Sequence, residues 1–344
     1  MSLSVNQHNY DIYYKLDDAK VSIISGGSNF SLVSDISKLL GININNTTKY
    51  FSNTEIRPLI CKSITGKTVY IIQTGCAYNN KSINDYLIEL YLYIRTCKRS
   101  DAARIVVVMP LYPYSRQDKK DKPRAAISAS DIGFLLETAG ANRIITYDLH
   151  NPAIQGFHSI PVDNLPCNKF IIDYLQKIIK DKSQYTLVSP DAGCLPRIKK
   201  YARILGLPMV YFSKERDYTK ENTISESVII GDHKKYVKDK HMIFIDDMAD
   251  TCGTLCKTCK LLKEKGAIDV IVGVTHGIFS GDALDKINSN DDIKIIITSD
   301  SLPQKENMEK CLKILTYSLA ESIAEVITRL EFNKSISEMS LFQY

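Results

Sequence analysis

The chain has 344 residues, 44% of them hydrophobic and 24% charged, enough to bury a full core and to form two domains of ordinary size. Its formal net charge of +5 is small for this length, and acids alternate with bases along most of it, so bulk nucleic-acid binding is not indicated and anionic small molecules remain as partners. Nine cysteines without framework spacing, and a polar start, MSLSVNQHNYDIYYKLDD, with no apolar leader, point to a reduced, cytoplasmic protein. The longest apolar runs, such as residues 105–109, fall far short of the ~20 residues that cross a bilayer, so no membrane partner is expected.

In chain order, short β-branched runs alternate with helix-like stretches: VSII (21–24), TVYII (68–72), IVVVM (105–109), RIITY (143–147), TLVS (186–189), MIFI (242–245), DVIVGV (269–274) and IKIIIT (293–298). This is the pattern of βαβ units around a mainly parallel sheet. The runs near 105, 243 and 270 are apolar without alternation, as strands covered on both faces are. GANRIITYDLH (140–150) and GAIDVIVGVTH (266–276) share length, a Gly-Ala opening and a closing His, which predicts two similar α/β halves. The break is placed near Asn164-Leu165-Pro166-Cys167, giving domains over 1–165 and 166–344, before the helical KFIIDYLQKIIK. Residues 1–20 are read as an extension and 331–344 as a tail packed on the N-terminal domain.

FIDDMADTCGT (244–254) sets three carboxylates at the end of an apolar run. The spacing predicts a strand over 242–245, a turn over 246–254 and a helix over 255–265 with Gly266 as its stop. Ligands of open α/β sheets sit at the carboxyl ends of strands, where a helix N-terminus offers free N–H groups. Asp250, Thr251, Cys252, Gly253 and Thr254 are therefore expected to enclose a phosphate, and Asp246 and Asp247 to take the ribose hydroxyls, directly or through Mg²⁺. The competing reading is a solvated acidic turn in which Asp250 or Thr251 caps the helix.

Three further segments carry charge in the same ambiguous way. YSRQDKKDK (114–122) is a phosphate-contacting loop or a solvated one; His150 ends a strand as a ligand or as a structural residue; Lys214-Glu215-Arg216 opens a lid or a disordered surface loop. Cys252, Cys256 and Cys259 have no fourth ligand at a metal-ribbon spacing and are read as buried thiols.

DDMADTCGT resembles the PRPP-binding loop of the phosphoribosyltransferase-type fold. FSNTEIRP (51–58), IIQTGC (71–76), YPYSRQDKKDKPRAAISA (112–129), ITYDLHNPAIQGFH (145–158), PVDNLP (161–166), VSPDAG (188–193), KER (214–216) and THGIFSG (275–281) narrow the resemblance to the ribose-phosphate diphosphokinase (PRPP synthetase) family, over roughly 21–330. The resemblance implies two phosphoribosyltransferase-like (Rossmann-like) domains, the first with the ATP-side motifs and the second with the ribose 5-phosphate loop and the lid. It implies that Arg116 and Gln117 contact ATP, that Phe51, Asn53 and Glu55 of a neighbouring subunit recognise adenine, and that His150 and Asp191 meet Mg²⁺·ATP. Lys214 and Arg216 become the cations of the lid. The implied cofactor is Mg²⁺, the implied assembly a homo-oligomer of dimers, often a hexamer, and the implied reaction diphosphoryl transfer from ATP to ribose 5-phosphate. Two other readings share parts of this pattern: a phosphoribosyltransferase, and a non-catalytic protein that associates with PRPP synthetases.

The chain departs from the family's pattern in places. PDAGCLPR has Cys194, Leu195 and Pro196 where the family usually has a second Gly and a Lys; Pro152 replaces a residue often hydroxylated near the regulatory anion site; Tyr78-Asn79-Asn80-Lys81 is read as a short insertion.

Overall fold

The computed structural model describes residues 15–191, 193–214, 227–230 and 232–339. Its first half opens with strand β1 (Val21–Ser25), buried throughout, and helix α1 (Phe30–Leu40). The Asn29 side chain caps α1 by accepting from the Leu32 N–H, and Gly41 ends it in the left-handed region that glycine enters without strain. An antiparallel hairpin, β2 (Asn46–Tyr50) and β3 (Ile56–Ile60), forms a sheet of its own. There follow β4 (Thr68–Ile72), α2 (Ile83–Arg99), β5 (Arg104–Met109), α3 (Ser128–Ala139), β6 (Arg143–Tyr147) and β7 (Val162–Leu165). All pairings of the resulting sheet, β1-β4-β5-β6-β7, are parallel.

The second half contains α4 (Asn168–Ile178), β8 (Tyr185–Ser189), α5 (Leu195–Leu205), β9 (Met209–Lys214), β10 (Ser227–Ile230) and the short α6 (His233–Tyr236). It continues with β11 (His241–Ala249), α7 (Gly253–Glu264), β12 (Asp269–Gly277), α8 (Ala283–Asn288), β13 (Ile293–Ser299), α9 (Lys305–Lys310), β14 (Ile314–Tyr317) and α10 (Ala320–Glu331). The seven-stranded order is β10-β9-β8-β11-β12-β13-β14, with only β10 antiparallel to its neighbour.

The halves thus repeat one plan: a strand, an intervening strand pair, then four more strands added outward in sequence order. The echoed segments do not occupy equivalent places in that plan. GANRIITYDLH enters β6, fourth in its row, whereas GAIDVIVGVTH enters β12, third in its own after β8 and β11. What the two segments share is a location, because the closing residues of both reach the junction between the sheets.

Three hydrophobic clusters account for the layering. Two cover the outer faces of the two sheets, and a third joins their inner faces through α1, α4, α5 and α10. Helix α10 crosses back to the first half, where Ile323 and Ile327 share a cluster with Val33 and Ile36 of α1, and Glu331 accepts a 2.7 Å hydrogen bond from the Tyr70 hydroxyl. Among the described residues no helix is long and apolar enough to cross a membrane.

Candidate active site

The carboxyl ends of both sheets open into one cleft of about 1570 Å³. The sequence boundaries at its acidic wall require correction. Strand β11 runs on through Asp246 and Asp247 to Ala249, and α7 begins at Gly253, so the turn is confined to residues 250–252. The reason is pairing: β12 accompanies β11 from His241 to Ala249, while β8 leaves it after Phe244. The far end of β11 is therefore held on one edge and open on the other, toward the loop that carries Asp191.

Burial and charge act together on the two adjacent acids. Asp247 is only 5% exposed, and its Oδ2 lies 2.8 Å from His150 Nδ1. Burial and the neighbouring Asp247 charge push Asp246 up to about 7. For Asp247 burial acts in the opposite sense, but the His150 hydrogen bond and the Arg197 charge outweigh it and hold the carboxyl down to about 2. That same hydrogen bond raises the His150 pKa, and Nε2 of His150 has no hydrogen-bond partner among the described residues.

The turn after β11 is braced from behind. The Asp250 carbonyl accepts from the Ser280 N–H at 3.1 Å, and Lys286 Nζ donates to the Thr251 carbonyl at 3.3 Å. Cys252 caps α7 from the left-handed region, with φ of 56°. A Cβ at Gly253 would meet nothing within 4 Å, so the start of α7 faces open cleft. Free backbone N–H groups at the start of a helix attract an anion there. Thr251 and Thr254 line the same opening, and their hydroxyls are uncommitted among the described residues.

The opposite wall is basic and comes from the first sheet. Arg116 and Lys119, on the loop after β5, line the cleft, and Arg116 Nη1 donates to Asp250 Oδ2 at 2.6 Å. Behind the His150 contact, Asp148 stitches the sheets together: its Oδ2 accepts from Thr275 Oγ1 at 2.6 Å and from the Cys167 N–H at 3.0 Å. The buried His276 adds Nδ1 to Ser301 Oγ at 2.9 Å and Nε2 to the Tyr147 carbonyl at 3.1 Å. Sequence reasoning did not single out Asp148 or His276 as parts of this junction; the only signal was their position at strand ends.

The cleft brings together Arg116, His150, Asp191, Asp246, Asp247 and Asp250, with Thr251 and Cys252 in the turn and Gly253 and Thr254 opening α7. It does not bring in the remaining predicted contacts. Gln117 turns away, its Oε1 accepting from Ser128 Oγ at 2.5 Å. Phe51, Asn53 and Glu55 are exposed in the β2–β3 connection, with the Phe51 ring between Lys49 and Arg57 at 5.2 and 5.8 Å, and none of them lines the cleft. Arg216 lies outside the described residues, and Lys214 ends β9 with a side chain that is not described. Among the described residues, no group of three or more His, Cys, Asp or Glu is arranged to hold a metal ion, so Cys252, Cys256 and Cys259 form no such center. Cys252 and Cys259 belong instead to a buried apolar cluster.

Two sheets of repeated order, with an aspartate-bearing strand end and a helix N-terminus at their shared opening, define a phosphoribosyltransferase-type fold. The family described as the N-terminal domain of ribose phosphate pyrophosphokinase matches residues 21–140, and the phosphoribosyl transferase domain matches 163–303. Ribose-phosphate pyrophosphokinase A of Dictyostelium discoideum is 41% identical over 321 residues, covering 93% of this chain and 98% of that protein. The crystal structure of phosphoribosylpyrophosphate synthetase from Mycobacterium smegmatis superposes with a TM-score of 0.83 at 32% identity, covering 91% of this chain and 99% of that one. The chain belongs to the ribose-phosphate pyrophosphokinase family.

Proposed function

We propose that this chain transfers the β,γ-diphosphoryl group of ATP to O1 of ribose 5-phosphate, giving PRPP and AMP. The observation that carries the reading is the single cleft with an acidic strand end and phosphate turn on one wall and a cationic loop on the other. The α7 N-terminus with Thr251 and Thr254 would hold the 5-phosphate, and Asp246 and Asp247 the ribose hydroxyls. Arg116 would exchange Asp250 for a nucleotide phosphate, and His150, its Nδ1 held by Asp247, would turn Nε2 to the triphosphate. O1 then attacks the β-phosphorus, the bond from that phosphorus to the oxygen it shares with the α-phosphate breaks, and AMP departs with that oxygen. No side chain is assigned to take the proton of the attacking hydroxyl.

Charge grows on the equatorial and bridging oxygens during this transfer, so fixed cations act where the transition state gains most. Lys214 and Arg216 are assigned that role by their match to the family's lid. Phe51, Asn53 and Glu55 would serve the adenine site of a neighbouring copy, since they stand apart from their own cleft. That sharing fits a homo-oligomer of dimers working in the cytoplasm.

The donor set fits Mg²⁺ that arrives with the nucleotide. Mg²⁺ keeps several waters and needs only one or two protein oxygens beside substrate phosphates. Asp191 offers such an oxygen: Oδ1 accepts from the Cys194 N–H at 3.0 Å and Oδ2 is uncommitted among the described residues. His150 would contribute by hydrogen bonding to a coordinated water. The ion would neutralise phosphate charge and orient the β-phosphoryl group.

A coupled assay for AMP formed from ATP and ribose 5-phosphate in the presence of Mg²⁺ tests the proposal. AMP in proportion to PRPP is expected. Its absence, with PRPP instead consumed by a purine or pyrimidine base, would make the chain a phosphoribosyltransferase; no turnover of either kind would make it a non-catalytic partner.

A further inference from the structure

The loop between β8 and α5 carries a side chain that the proposed chemistry has not used. Ser189 ends β8 and donates from Oγ to the Asp191 carbonyl at 2.8 Å, which turns the chain back over the open edge of β11. Cys194 then caps α5. Its backbone N–H donates to Asp191 Oδ1 at 3.0 Å, and its Sγ lies 3.6 Å from Asp246 Oδ1. One residue therefore bridges Asp191, on this loop, and Asp246, on β11.

Asp246 is otherwise restrained by its neighbour Asp247, whose carboxyl shares a hydrogen bond with it. Oδ1 also accepts from the Asp247 N–H at 2.9 Å, and Oδ2 has no hydrogen-bond donor among the described residues. The Cys194 thiol is the one side-chain donor to this carboxyl among the described residues, and both residues line the cleft. A thiol carries one S–H, so Cys194 can donate to the carboxyl oxygen that its sulfur faces.

We propose that Cys194 is a positioning residue for the pentose: its thiol fixes the Asp246 carboxyl so that Oδ2 is presented to a ribose hydroxyl. The inference rests on the assignment of Asp246 to the sugar.

The test compares Cys194→Ala and Cys194→Ser by ribose 5-phosphate titration calorimetry without nucleotide and by steady-state kinetics. A neutral hydrogen bond of this kind supports a roughly threefold to tenfold loss of ribose 5-phosphate affinity in Cys194→Ala, with a rise in its KM that exceeds any fall in kcat. Serine, which restores a donor, is expected to recover most of that loss. Wild-type affinity in Cys194→Ala overturns the inference, as does a serine variant as weak as alanine, which would assign the effect to packing.

An Asp246→Asn background separates this inference from the reading beneath it. If Asp246→Asn binds ribose 5-phosphate as the wild type does, the sugar assignment itself falls. If Asp246→Asn is weak but Cys194→Ala costs as much on that background as on the wild type, the sugar assignment stands and the positioning role falls. A cost that disappears on that background supports both.

Discussion

The two walls of the cleft hold their charges by different means. On the acidic side, Asp246 and Asp247 stand on a strand that β12 accompanies from His241 to Ala249, and Asp247 is buried. On the basic side, Arg116 stands on a loop with 60% of its side chain exposed. The acidic wall is built before any ligand arrives, and its cost is visible in the raised pKa of Asp246. The basic wall is held by one contact to Asp250 that an incoming phosphate can replace. A sugar site needs geometry and is made rigid; a phosphate site needs charge and can be assembled on binding.

Breaking the acidic wall is expected to have the largest effect. Asp247→Ala removes the partner of His150 and one of the two acids assigned to the sugar, and takes away one of the acidic charges that face Arg197. Loss of a buried charged hydrogen-bonding group supports a fall in kcat/KM for ribose 5-phosphate of about a hundredfold or more. Steady-state kinetics with ribose 5-phosphate varied would check it, and an unchanged sugar dependence would contradict the division between the walls.

The same wall predicts a pH-dependent stability. With its folded pKa near 7, Asp246 holds a proton in the fold at pH values where the unfolded carboxyl has lost it. The folded state then binds more protons than the unfolded state between the ordinary carboxylate range and about pH 7, so stability falls as pH rises through that window. The loss attributable to Asp246 is on the order of 2 kcal/mol between pH 5 and 7. Asp247 acts in the opposite sense at a lower pH: its contribution, present above the ordinary carboxylate range, is lost as pH falls toward 2. Asp246→Asn, neutral at every pH, should flatten the slope between 5 and 7; thermal unfolding without nucleotide or metal measures it. A slope that persists in Asp246→Asn would place the titration elsewhere.

The contrast between the walls also explains what the sequence could disclose. Strands covered on both faces, such as β5, β11 and β12, announce themselves as unbroken apolar runs, and all eight strands expected from β-branched runs are present. NTTKY and IRPLI gave no such signal, because the faces of β2 and β3 alternate between half-buried and exposed and Pro58 interrupts the second. The turn after β11 was legible as a motif, but its limits were not. Asp246 and Asp247 read as turn residues when their place in β11 depends on a long-range partner, β12. The role of Asp148 was hidden for a related reason, since its partners Thr275 and Cys167 belong to the other half of the chain.

The basic wall gives the smallest stability effect and the sharpest test of the contrast. Arg116→Ala removes a pair whose arginine is 60% and aspartate 27% exposed, so solvent screening leaves a stability change of about 0.5 kcal/mol or less. If Arg116 serves the nucleotide, the same substitution should raise the KM for ATP by roughly tenfold, the scale of one charge-assisted phosphate contact, with a much smaller change for ribose 5-phosphate. Added salt should weaken ATP binding in the wild type more than in Arg116→Ala, because one phosphate contact has already gone. A variant that loses sugar affinity in place of ATP affinity would show that the Asp250 pair organises the phosphate turn. The two walls would then act as one unit and not as a built site facing an assembled one.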